Sequence, residues 1–81
     1  MQQWLGLDPL AAFVLRRIEA RGWHVSVHFV NDTVEMHAVR VETGEAQIAR
    51  CNDGNEPSHQ FRAAKLVADA IGVEDLIGID H

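Results

Sequence analysis

The chain has 81 residues, of which 47% are hydrophobic and 23% charged. This balance is typical of one small folded domain, here residues 1–81, and not of a disordered chain. The net charge of −5 argues against a protein whose affinity depends on neutralising nucleic-acid phosphates. Cys51 is the only cysteine, which excludes an internal disulfide, and no apolar run approaches the ~20 residues of a membrane span. The lone thiol and the lack of an export signal predict a cytoplasmic location.

The first predicted element is a helix over residues 9–21. Asp8 can accept a hydrogen bond from the first turn, and Pro9 suits a position whose N–H would have no helical partner. Gly22 supplies a left-handed residue after the last turn. The helical period predicts one core-facing set: Leu10, Phe13, Val14 and Ile18. Residues 1–7 are expected to form an N-terminal arm in which Trp4 packs against the start of this helix.

Residues 23–39 alternate apolar and polar side chains, which predicts a β-hairpin with one buried face. A two-residue turn at Asn31-Asp32 fixes the register of its two strands. This register pairs the apolar side chains, namely Phe29 with Val34, Val27 with Met36 and Val25 with Ala38. The opposite face then gathers five polar side chains: His24, Ser26, His28, Glu35 and His37.

A third strand is predicted over residues 45–51, and the pattern allows two registers for its pairing with the second strand. The apolar phase shifts by one position at Val39 to Val41, which indicates either a bulge near Ala38 or a strand end whose outer face is partly covered. A three-residue loop over residues 42–44, with Gly44 at positive φ, would place Ile48 beside Ala38 on the core face. A two-residue loop would instead turn Ile48 outward, because a slip of one residue inverts a strand. We favour the first because threonine disfavours positive φ.

The second predicted helix starts near Pro57 and ends at Gly72. Its core-facing set is Phe61, Ala64, Val67, Ala68 and Ile71. The element order predicts an α+β fold, a two-layer α-β-β-β-α sandwich. Its sheet would be a three-stranded antiparallel meander with both helices packed on one face. Residues 73–81 form a C-terminal tail that is expected to dock across an exposed apolar surface.

Two segments resemble a known family. They are Gly22-Trp23-His24-Val25-Ser26-Val27 and Pro57-Ser58-His59-Gln60-Phe61-Arg62-Ala63-Ala64. Together they resemble the small phage-type ABA-sandwich proteins, in which a tryptophan-led strand precedes a proline-started helix with an Arg-Ala-Ala step. The resemblance covers about half of the chain and implies a phage or prophage setting. That family has no settled activity, so the resemblance implies no chemistry.

The predicted topology is also similar to that of the double-stranded RNA-binding domain. Arg62-Ala63-Ala64-Lys65 and Ala68 resemble the alanine-rich last helix of that domain. The lysine cluster expected at the start of that helix is absent, since Ser58, His59 and Gln60 stand there. Without those cations the phosphate contacts that carry affinity are missing. A weak nucleic-acid-binding module is therefore an alternative that charge disfavours.

The polar sheet face contains three candidate metal ligands: His28, His37 and Glu35. Neighbouring imidazoles and a carboxylate suit zinc or nickel, so a metal-binding protein or metalloenzyme is a second alternative. The simpler interpretation is a solvated sheet face without a cofactor, because no third ligand comes from a loop.

Cys51 lies beside Asn52 and Asp53, and histidines are available elsewhere, so the parts of a cysteine nucleophile exist. No signature peptide surrounds Cys51, and we predict that it is buried as a small hydrophobe, with no catalytic residues in the chain. We expect instead a small binding or assembly protein that is not an enzyme and does not contact membranes. Its partner would be a second copy or another protein. The interface is predicted at His24, Ser26, His37, Val39 and Val41.

Overall fold

The computed structural model describes residues 7–73, so the predicted N-terminal arm and C-terminal tail lie almost entirely outside the described residues. The element order is α1 (Pro9–Glu19), β1 (Trp23–Val30), β2 (Thr33–Arg40), β3 (Ala46–Cys51) and α2 (Pro57–Ile71). The strands form one antiparallel sheet in the order β1-β2-β3, and the two helices pack on each other and on the sheet. The predicted α+β sandwich is confirmed. No helix within the described residues is long and apolar enough to cross a membrane.

Helix α1 begins as predicted and buries Val14 and Ile18 as predicted, but the rest of its buried face differs. Asp8 caps it by accepting a hydrogen bond at 3.1 Å from the N–H of Ala11 to its Oδ2. Leu10 and Phe13, predicted in the core, are 51% and 41% exposed. The buried set is Ala11, Ala12, Val14, Leu15 and Ile18. The prediction was wrong for Leu10 and Phe13 because it counted large apolar side chains, whereas the side of α1 that is buried carries Ala11 and Ala12. Helix α1 packs on α2, whose buried residues also include alanines, namely Ala63, Ala64 and Ala68.

The β1–β2 hairpin has the predicted register. Val25 pairs with Ala38, Val27 with Met36 and Phe29 with Val34. Asn31 adopts a φ of 57° in the two-residue turn, a conformation that asparagine tolerates better than most residues.

The bulge predicted near Ala38 is absent from this hairpin, because pairing continues without interruption to Trp23 and Arg40. The guanidinium of Arg40 lies over the Trp23 ring, 4.8 Å from its centroid. The apolar phase shift that suggested a bulge is instead an exposed valine, Val39, on the outward side of the strand.

Strand β3 pairs one residue away from the predicted register. Ile48 lies opposite His37 and points outward, whereas the favoured three-residue loop placed it beside Ala38 in the core. Residues 41–45 connect the two strands, and the hydrogen bond from the N–H of Arg40 to the carbonyl of Glu45 at 2.8 Å closes the turn. Gly44 has the expected positive φ of 79°. The N–H of Val41 donates to the carbonyl of Gly22 at 3.1 Å. Val41 therefore extends the pairing between β1 and β2, and it does not lie opposite Glu45 as the favoured register predicted.

Helix α2 ends at Gly72 as predicted, with φ of 81°. Ala64, Val67 and Ala68 are buried as expected, while Phe61 and Ile71 pack at the border of the core. The cysteine prediction is partly met in the preceding strand, since Cys51 is half-buried and packs against the core.

A buried amide, which the apolar pattern did not reveal, ties α2 to two other segments. Gln60 is 4% exposed. Its Oε1 accepts from the N–H of Asp8 at 2.7 Å, and its Nε2 donates to the carbonyl of Gly54 at 2.8 Å. Gly54 is pressed against β2, since a Cβ there would lie 2.6 Å from the backbone N of Val34. Gly54 therefore anchors the loop between β3 and α2 to the core.

Candidate interaction surface on the sheet

The side of the sheet that faces away from the helices is the candidate functional surface. The strand register places alternate residues of all three strands on it, and we call it the outer sheet face. Its members are His24, Ser26, His28, Val30, Thr33, Glu35, His37, Val39, Ala46, Ile48 and Arg50. Four of the five predicted interface residues, His24, Ser26, His37 and Val39, lie on this face. The fifth, Val41, is exposed in the loop that follows β2.

Glu35 organises the polar part of the outer sheet face. Its Oε2 lies 2.9 Å from the Nε of Arg50, and its Oε1 accepts from the Nε2 of His37 at 3.2 Å. The hydrogen bond from His37, aided by the charge of Arg50, lowers the pKa of Glu35 below its usual value although partial desolvation opposes the shift. Glu35 is therefore an ionised carboxylate with both oxygens engaged by side chains on its own sheet.

The histidines predicted as metal ligands do come together. The rings of His28 and His37 meet edge to face, with centroids 4.9 Å apart and planes inclined at 62°. The Nε2 of His28 shares a hydrogen bond of 3.2 Å with the Oγ of Ser26. Two imidazoles and Glu35 thus occupy one area, as the register predicted, but each already has a protein partner. Across residues 7–73, no three His, Cys, Asp or Glu side chains are arranged to hold a metal ion.

The outer sheet face also carries apolar side chains. Ile48 is 57% exposed at the centre of β3, and Val30 at the end of β1 and Val39 on β2 are also exposed. Sequence reasoning missed Ile48 and Arg50 because the favoured register turned β3 over. The two-residue-loop alternative would have turned Ile48 outward correctly, although with a different partner. Large aliphatic side chains on a sheet face are most stable when a second surface removes them from water.

The free edge of β1 is the second notable feature of the sheet. Antiparallel pairing directs the backbone groups of alternate residues toward the neighbouring strand and those of the others away. The carbonyl of Gly22 accepts from Val41, so even-numbered residues of β1 bond to β2. The N–H and C=O groups that point to the free edge therefore belong to Trp23, Val25, Val27 and Phe29. No other strand of the described chain pairs with them.

A shallow depression lies at the other end of the molecule, between β3 and α2. It has a volume of about 200 Å³ and is lined by Cys51, Asn52, His59 and Arg62. The Nδ1 of His59 donates to the carbonyl of Asn52 at 2.9 Å. The histidine that lines this depression together with Cys51 therefore comes from α2 and not from the sheet. Asp53, which the sequence grouped with Cys51, does not line the depression.

Comparisons with known proteins give no match, whether the sequence is scanned against family models or the chain is compared with curated proteins and solved structures. The resemblances to the phage-type ABA-sandwich proteins and to the double-stranded RNA-binding domain stay predictions.

Proposed function

We propose that this chain is a binding protein without catalytic activity that assembles with a second copy of itself through its sheet. The observation that carries the proposal is a three-stranded sheet with an open, uncharged edge strand and exposed aliphatic side chains on its outer face. The resemblance of residues 22–27 and 57–64 to phage-type proteins supports a phage or prophage setting, and the lone thiol supports a cytoplasmic one.

Energetics favour assembly for a domain of this size. A chain of 81 residues builds a core that stabilises it only modestly. Burying a side chain such as Ile48 contributes about 1.5–3 kcal/mol when it is fully removed from water. Pairing a free strand edge adds backbone hydrogen bonds of about 1 kcal/mol each. A second copy can supply either contribution, because a two-fold interface presents the same surface on each side.

The polar groups of the outer sheet face support binding more than catalysis. Glu35 bonds to His37 two residues along β2 and to Arg50 on the neighbouring strand β3. Such a network holds its side chains in place, whereas a general acid or base must be free to reach a substrate proton. The metal-binding alternative draws its support from the contact between the rings of His28 and His37, and it is tested separately below.

The mass in solution tests the proposal. Sedimentation velocity from about 1 to about 500 μM, a range that covers weak and moderate affinities, should show a rise from 9.0 kDa toward twice that value. Ser26→Lys and Ile48→Lys place a charge on the outer sheet face, and at least one should lower the dimer fraction. Leu66→Lys is the matched control for Ile48→Lys, because Leu66 is 48% exposed against 57% for Ile48 but lies on α2. A constant monomer mass, or equal loss of dimer in the control, would refute self-association through the sheet.

A further inference from the structure

We infer that the partner surface is the free edge of β1, and that two copies join their β1 strands antiparallel about a two-fold axis into one six-stranded sheet. The inference rests on the self-association proposed above and specifies its geometry.

The composition of β1 is the first argument. Natural proteins protect edge strands with lysine or other charges, proline, bulges or short length. Strand β1 runs for eight residues, pairs without a bulge, and contains no proline, glycine, lysine, arginine or acidic residue. The other edge strand, β3, has only six residues and carries Arg50. Of the two edges, β1 is the one whose own sequence and pairing show none of these four devices.

The direction of the backbone groups is the second argument. Trp23, Val25, Val27 and Phe29 present their N–H and C=O groups to the free edge, as derived above from the pairing of Gly22 with Val41. An antiparallel strand can bond to these backbone groups when the residues directly opposite them also point their own N–H and C=O groups toward β1. A second β1 strand, turned by the two-fold axis, presents the same row in the required direction.

The faces of the sheet then select the register. A pairing that sets an odd residue of one copy against an even residue of the other would place histidines beside apolar side chains, so it is excluded. With Ser26 opposite Ser26 of the second copy, Trp23 pairs with Phe29 and Val25 with Val27, so all four outward residues are bonded. A shift that centres the axis on Val27 leaves Trp23 outside the paired strands. The Ser26-centred register therefore makes the longest ladder.

The exposure of Phe29 agrees with this register, although its partner Trp23 is only 4% exposed in the single chain. Phe29 lies on the inner side of the sheet beside buried Val34, yet 53% of it is exposed. In the proposed dimer its cross-strand neighbour is Trp23 of the second copy, and aromatic pairs across strands stabilise sheets. Each copy would thus cover the exposed aromatic ring of the other. On the outer sheet face, the same register sets His28 opposite His24 of the second copy.

Disulfide trapping tests the register directly. Ser26 would lie opposite Ser26 of the second copy in a non-hydrogen-bonded pair, in which the two Cα atoms are about 4.5 Å apart. A disulfide can span this distance. The test protein is Ser26→Cys in a Cys51→Ala background, at a concentration where sedimentation shows dimer. The matched control is Thr33→Cys, because Thr33 is also half-buried on the outer sheet face but lies on β2. Circular dichroism confirms that both variants are folded.

We expect Ser26→Cys to form a covalent dimer under mild oxidation at least tenfold faster than Thr33→Cys. A dimer by sedimentation with equal or slower cross-linking at position 26 would overturn the β1 interface while leaving self-association in place. A monomer at every concentration would overturn both. Hydrogen exchange adds a second readout: the amides of Val25 and Val27 should exchange several-fold more slowly in the dimer than in the dilute monomer.

Discussion

The buried amide of Gln60 makes a stability prediction that depends only on the fold. Gln60→Met keeps the length and approximate volume of the side chain but removes both polar groups. The N–H of Asp8 and the carbonyl of Gly54 then lose partners at 2.7 and 2.8 Å. Leaving a buried backbone group unsatisfied costs about 1–3 kcal/mol. Because Asp8 is only half-buried and can recover some hydration, we expect a total loss of about 2–4 kcal/mol in the free energy of unfolding.

Urea denaturation followed by circular dichroism measures this loss. The protein must be dilute, because dimerisation would add concentration-dependent stability. The matched control is Gln47→Met, since the Nε2 of Gln47 makes only an exposed contact of 3.5 Å with Glu45. We expect the control to change the free energy of unfolding by less than about 0.5 kcal/mol. A loss at Gln60 no larger than that of the control would refute the role of this amide as a tie between α1, α2 and the loop before α2.

The remaining predictions concern Gly54, Glu35 and the histidines. Gly54→Ala should destabilise the monomer by at least about 2 kcal/mol in urea, because its Cβ would meet the backbone of Val34 at 2.6 Å; an unchanged midpoint would contradict this packing. The lowered pKa of Glu35 means that its stabilising contribution is present above the ordinary value of 4.5 and is lost as the pH falls through the lower folded value. The difference in unfolding free energy between the wild type and Glu35→Gln should therefore shrink below pH 4.5, and a constant difference would exclude an ionised Glu35 as its cause. Native mass spectrometry with added zinc should show no specific adduct, and an adduct that disappears in His37→Ala would support the metal-binding alternative instead.

The β1–β2 hairpin could be predicted because its determinants are local. Strict alternation defines which side chains share a face, and a two-residue turn leaves one register for the pair. Asn31 accepts the positive φ that the turn needs. The contact between His28 and His37 followed directly from that register, before any tertiary packing was known.

Strand β3 could not be placed in the same way. Gly44 marks the turn, but the number of loop residues depends on where Val41 forms its hydrogen bond. That bond goes to Gly22, which follows α1 and is distant in the sequence. One residue of difference decides whether Ile48 faces the core or the solvent, and it therefore decides the composition of the outer sheet face.

The sequence by itself determined the order of the elements, the start of both helices, the end of α2 and the hairpin register, because capping residues, glycines and alternation act over a few neighbouring positions. Tertiary structure decided which side of α1 is buried, since that side carries alanines, which a count of large apolar side chains does not register. It also decided the outward position of Ile48 and the burial of Gln60, whose partners lie six and fifty-two residues away along the chain. These contacts join segments that are separated in the sequence, so no local pattern of side chains can predict them.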